Sequence, residues 1–194
     1  MAVVPVWVGT WRLGLFAVIV GAAVAVGVPA AHAYPPGFPD LDTFEAVDAG
    51  PFTHSYDYGR GGKGTLVSFG TPDGVYCNWQ QSSDVAKHPE INCIGNVPGI
   101  PSYVRDRDEP GCTEVRFQGD WVGGADTYGF VHSYASSGTC PKADVAQPST
   151  ALRPGQKLTS SNITCAVAQG NVTACIDPVV NRGFMLTPAG SWAF

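Results

Sequence analysis

From Gly64 onward, apolar and polar positions alternate in runs of four to eight residues, and Gly, Pro, Asn or Asp stands in nearly every gap. A period of two marks strands, because successive side chains leave a strand on opposite faces. The pattern predicts strands over residues 65–69, 75–79, 91–94, 113–118, 127–134, 157–160, 163–168, 172–176, 183–186 and 191–194. Ahead of them, residues 34–39 (YPPGFP) begin an extended Pro-rich arm. Leu41, Phe44 and Val47 then follow at helical spacing, which predicts one short turn ended by Pro51.

The arrangement expected from this pattern is a single antiparallel all-β domain, built either as a small barrel or as a two-layer sandwich. An internal echo supports it. Residues 69–76 (FGTPDGVY) resemble residues 185–192 (MLTPAGSW), each a Thr-Pro-x-Gly turn between apolar segments. Pro presets φ at the second turn position and Gly closes the turn. Gly 24 and Pro 16 together fill 40 of 194 positions, a load that interrupts helix interiors and agrees with strands and turns.

The first 33 residues stand apart. Arg12 precedes an uninterrupted apolar run over residues 13–28, and Ala31-His32-Ala33 offers small residues where a signal peptidase reads them. The run is shorter than the roughly 20 residues needed to cross a bilayer, and Pro29 ends it. The expected organisation is a signal peptide over 1–33, a Pro/Gly-rich arm over 34–63 and a β domain over 64–194. The protein is thus expected to be secreted or held at the cell envelope, with no stable membrane insertion after cleavage.

Removing 33 of 194 residues leaves 161, enough for one domain with a real core. Arg12 leaves with the signal, so ten basic residues then face 16 acidic ones and the net charge is −6. That sign excludes nucleic acid as an expected partner.

All six cysteines, Cys77, Cys93, Cys112, Cys140, Cys165 and Cys175, follow the signal. An even number in an exported chain reads as three disulfides. Cys165 and Cys175 lie equally far from Gly170 in β-branched segments around a Gln-Gly-Asn turn, so a three-residue loop sets them directly opposite each other. Nearest-neighbour pairing then gives Cys77 with Cys93 and Cys112 with Cys140, on weaker grounds than the hairpin pair. No C-x-x-C occurs and the mature histidines never take paired ligand spacings, so no metal site is expected.

Residues 69–77 (FGTPDGVYC), Ile91-Asn92-Cys93 and the ending 183–194 (GFMLTPAGSWAF) resemble the small secreted proteins of unknown function found in mycobacteria and related actinobacteria. The resemblance spans roughly residues 34–194 and implies a bacterial host and export across its envelope. Its motifs are those of turns and disulfides and bring no catalytic residues. In a bacterial host the sequons at Asn162 and Asn171 are incidental strand sequence.

Chemistry is sparse. There is no G-x-S-x-G elbow, phosphate loop or cofactor motif, and no cofactor is expected. His54 with Asp57 is one formal base-acid pair, and His132 sits in an alternating strand. Asp106, Asp108 and Glu109 suggest calcium by type, but Pro110 and Phe117 occupy positions where an EF-hand needs ligands. Asp106, Glu109, Glu114 and Asp120 include no selected glycosidase pair. Phe52, Tyr56 and Tyr58, in Gly-rich sequence without an evident strand partner, are the expected exposed contact residues.

The resulting expectation is a non-catalytic binding module for an envelope or extracellular ligand, protein or glycan. The alternatives are an extracytoplasmic hydrolase acting on envelope material, or a small enzyme inhibitor presenting the stretch 95–110 between disulfides. Intact-mass measurement on protein recovered from an actinobacterial host is expected to give Tyr34 as the first residue. Retention of the apolar run in a membrane fraction contradicts the signal reading.

Overall fold

A computed structural model of the chain describes residues 34–57, 63–81, 89–105, 111–118, 127–134 and 150–194. Among these residues all ten expected strands form, with ends displaced by at most two positions. Two more precede them, β1 (Glu45–Val47) and β2 (Thr53–Asp57). The others are β3 (Lys63–Gly70), β4 (Val75–Gln81), β5 (Asn92–Gly95), β6 (Gly111–Gln118), β7 (Thr127–Tyr134), β8 (Gln156–Ser160), β9 (Ile163–Ala168), β10 (Val172–Asp177), β11 (Arg182–Leu186) and β12 (Trp192–Ala193). A four-residue helix, α1 (Ser102–Arg105), follows β5.

The strands form two six-stranded sheets, in the orders β1-β8-β9-β10-β11-β12 and β2-β3-β4-β5-β6-β7. Neither order closes on itself, so of the barrel and the two-layer form the structure takes the second. The chain enters the first sheet with β1, lays down the whole second sheet as consecutive antiparallel neighbours, and returns to finish the first. That return places β8 beside β1 in parallel, with Val47 opposite Leu158. The antiparallel expectation is corrected at this strand pairing, and at the isolated parallel bridge of Gly70 with Ala151. Two strands separated by an entire sheet are free of the hairpin constraint that makes sequential neighbours antiparallel.

The arm is also corrected in part. Its residues were expected to stand outside the strands, with one helical turn running through Val47. Instead two 3-10 turns, Leu41–Thr43 and Gly50–Phe52, flank β1. Asp40 caps the first turn by accepting the Asp42 N–H at 3.0 Å. β1 and β2 are edge strands with a partner on one side only, and such short pieces carry little alternation.

One apolar core lies between the sheets. In the first sheet a directly paired row runs Val47, Leu158, Cys165, Cys175, Phe184 and Ala193. In the second, Phe69, Cys77, Cys93, Val115 and Phe130 form the matching row. These residues share a single cluster with Val67, Trp79, Ile91, Leu152 and Leu186.

Both described disulfides lie in these rows. Cys165 pairs with Cys175 across the Gly170 turn, at a Cα separation of 4.1 Å, as the hairpin argument requires. Gly170 and Asn171 take φ of 78° and 61° there. Cys77 pairs with Cys93 at 4.0 Å. Cys112 is buried and also disulfide-bonded, while its expected partner Cys140 lies outside the described residues.

The outer face of the first sheet is covered from the N-terminal side. Ala166 and Ala174 give a flat floor on which Phe38 and Leu41 pack, with Tyr34, Trp192 and Phe194 around them. Phe38 meets Phe194 edge-on at 5.6 Å and Trp192 at 6.5 Å. Lys157 Nζ donates to the Leu41 carbonyl at 2.8 Å, holding the arm down.

The two Thr-Pro-x-Gly turns form as expected, with Gly74 and Gly190 at φ of 85° and 137°. The second also ties the sheets together. Ser191 N–H donates to the Gly99 carbonyl at 2.7 Å, and Ser191 Oγ donates to the Pro98 carbonyl at 2.6 Å. Gly99 itself has φ +53°, and a Cβ there would strike the Thr187 carbonyl oxygen and stand 2.8 Å from Gly190 N. Gly99→Ala is therefore expected to lower stability by about 3 kcal/mol. The readout is a lower urea midpoint at unchanged slope.

Candidate functional site

Near the described ends of β6 and β7 the core borders a pocket. Phe117 and Tyr128 are directly opposite each other there, with ring centroids 5.7 Å apart in an edge-on arrangement. The facing sheet brings the β10–β11 turn to the same place, where Asp177 and Arg182 are cross-strand partners. Together with Pro89, Glu90 and Val180 these side chains enclose a pocket of about 220 Å³.

Each group is held from below. Asp177 is buried at 1% exposure, and its Oδ1 accepts the Val179 N–H at 2.9 Å, which closes the turn. A buried carboxylate needs such partners, and an opposite charge directly across the ladder adds to them. The Arg182 guanidinium lies over the Phe117 ring, 5.7 Å from its centroid. That cation–π contact steers its long side chain along the pocket wall. Glu90 stands exposed at the rim.

Tyr128 is the pivot. Its ring packs on Phe184 of the other sheet at 5.2 Å, and its hydroxyl oxygen accepts the Ile91 N–H at 3.1 Å. Its pKa is pushed up to about 12, first by burial. The Asp177 and Glu90 carboxylates add to the rise, while the Ile91 N–H and the Arg182 guanidinium act against it. The phenol therefore keeps its proton throughout the physiological range and acts as a neutral hydrogen-bonding group.

The pocket joins apolar rings, one guanidinium, two carboxylates and a neutral phenol. It can hold and orient a small molecule. Among the described residues that line it, no nucleophile stands beside a base able to take its proton.

The residues singled out from the sequence lie elsewhere. Phe52, expected to be exposed, is 4% exposed and part of the central core. The 3-10 turn before β2 delivers its ring inward, a contact that no local pattern announces. Tyr56 is half-buried in β2 and pairs with Gly64, so the segment does have a strand partner. Tyr58 lies outside the described residues. His54 and Asp57 sit three apart in continuous β2, where the pleat sends them to opposite faces. His54 is half-buried and leaves Nε2 without a hydrogen-bond partner.

His132 borders a second hollow, of about 180 Å³, whose described lining is completed by Tyr103, Val104, Phe130 and Val131. His88, Asp106, Asp108, Glu109 and Asp120 lie outside the described residues. Glu114 is buried on β6, accepts from Asn92 Nδ2 and lies 4.0 Å from Arg116. Among the described residues no group of three or more His, Cys, Asp or Glu side chains is arranged to hold a metal ion. Nor is any helix there long and apolar enough to cross a membrane.

The pocket residues were not found from the sequence because they come from four separated segments. The signal that existed was local: Asp177 and Arg182 are opposite charges flanking a Pro-containing turn, which marks a charged hairpin end. No protein-family model, curated protein or solved structure matches the chain. The functional reading therefore rests on this geometry.

Tyr128 gives a direct pH test. A phenol of raised pKa leaves stability intact below pH 10 and loses it as pH rises toward 12, because the unfolded chain releases the proton first. The loss over that interval is about 3 kcal/mol. Tyr128→Phe is expected to cost about 1–3 kcal/mol at pH 7, since the buried Ile91 N–H loses its acceptor. It is also expected to flatten the alkaline decline, read by urea unfolding across pH 9 to 12.

Proposed function

We propose that this protein is a ligand-binding module of the bacterial cell exterior, exported and oxidised outside the cytoplasm, that takes up a small molecule and performs no chemistry on it. The observation that carries the reading is the pocket bordering the core, where Phe117, Tyr128, Glu90, Asp177 and Arg182 converge from both sheets. A few placed polar groups on an otherwise apolar wall are what recognition of a small ligand uses. Three features weigh on the same side. The Tyr128 phenol holds its proton too firmly to act as a base near neutral pH. His54 and Asp57 face away from each other, and among the described residues no carboxylate lines the hollow that holds His132.

The disulfides suit an oxidising compartment. The resemblance to secreted actinobacterial proteins supplies the proposed host.

Filling the pocket tests this. Val180→Trp, at a half-buried position on its wall, is expected to weaken fragment binding at least tenfold in calorimetry while the melting temperature stays within about 4 °C. Replacing His54, His88 and His132 together by Gln is expected to leave binding unchanged. Turnover of an envelope substrate that disappears in the triple-His variant overturns the reading in favour of a hydrolase.

A further inference from the structure

We infer that the ligand of this pocket is a small organic cation, an ammonium group carried on a compact apolar body. The inference rests on the binding reading above and deepens it. Its basis is the way the charges around the pocket are already committed.

Among the described residues three charged side chains line the space, two acidic and one basic. The basic one, Arg182, is taken up twice: it lies over the Phe117 ring, and it is the direct cross-strand partner of Asp177. A guanidinium held on an aromatic face with a carboxylate opposite presents little net positive charge to a third party. Asp177 in turn already accepts the Val179 N–H. Glu90 differs from both, since it is exposed at the rim and near enough to Tyr128 to bear on its hydroxyl electrostatically. The described lining therefore keeps one negative charge in excess, at the mouth.

The walls complete the preference. Pro89, Phe117, Tyr128 and Val180 are apolar or aromatic, and aromatic faces attract ammonium groups as well as burying hydrocarbon. A free carboxylate entering the same space would meet Glu90 and Asp177 as like charges. The cavity of about 220 Å³ has the volume of roughly seven waters, which limits it to a small ligand or to one end of a larger one that projects into solvent. The whole chain carries a net charge of −5, which draws cations toward it.

Three probes of one frame separate the possibilities: 2-phenylethylamine, 2-phenylethanol and 3-phenylpropanoate, each titrated into the oxidised, ¹⁵N-labelled protein at pH 7. The amine is expected to bind at least tenfold more tightly than the alcohol, with the propanoate weakest. The amide shifts should centre on Ile91, Tyr128 and Arg182. Glu90→Gln is expected to weaken the amine by about fivefold to tenfold and leave the alcohol unchanged, and 0.5 M NaCl should act in the same direction on the amine alone. Equal binding of amine and alcohol, or preference for the propanoate, at these same amides overturns the cation inference while the binding reading stands. Absence of shifts at these amides with all three probes overturns both.

Discussion

Everything in this fold hangs on the burial of two apolar rows against each other, one crossing each sheet. Neither sheet can hide its inner face alone, and each row is made of residues contributed by successive strands, so the core exists only when all strands are in register. A slip of one residue in any strand would turn its apolar set to the outside. The half-cystines sit within these rows as core residues. Cys77–Cys93 and Cys165–Cys175 each join neighbouring strands at directly opposed positions, so each pins a register as well as shortening the unfolded chain's freedom. On the loop-entropy account each contributes about 3 kcal/mol, a large part of the stability of a typical domain.

The pocket is the place where that core runs out. Phe184 and Tyr128 still pack as core residues, one from each sheet, but the next positions outward are Phe117, Asp177 and Arg182, and the interior changes from hydrocarbon to charge within one side-chain length. The rigidity needed to hold Asp177 in a buried position comes from the turn it closes and from the paired strands on either side. Burial that would be costly for an isolated carboxylate is thereby made tolerable. The same burial fixes Tyr128 as a neutral phenol, so the electrostatics of the site follow directly from its position at the edge of the core.

Much of this was legible in the chain. Alternation located ten strands because both sheets have one face turned inward, and period-two patterning reports that condition directly. The Cys165–Cys175 bridge was legible because a symmetric three-residue turn leaves the opposed positions no choice. β1 and β2 were not legible, since edge strands are short and half-exposed, and Phe52 was misplaced because the 3-10 turn ahead of β2 carries its ring into the core. The parallel contact of β1 with β8 and the convergence of Pro89, Phe117, Asp177 and Arg182 depend on how distant segments meet. Local pattern carries nothing of that.

The contact between the Pro98-Gly99 corner and the Thr187–Ser191 turn has a mechanical meaning. β5 leads from Ile91, under the pocket, to this corner, and β11 leads from Arg182, in the pocket wall, to Thr187. One strand in each sheet thus connects the two ends of the molecule, joined at the far end by the Ser191 hydrogen bonds and parted by a cavity at the near one. The two sheets are thus fastened to each other through a backbone corner with no room for a side chain on Gly99. Any residue larger than glycine there would have to push the second sheet's corner away from the first sheet's turn.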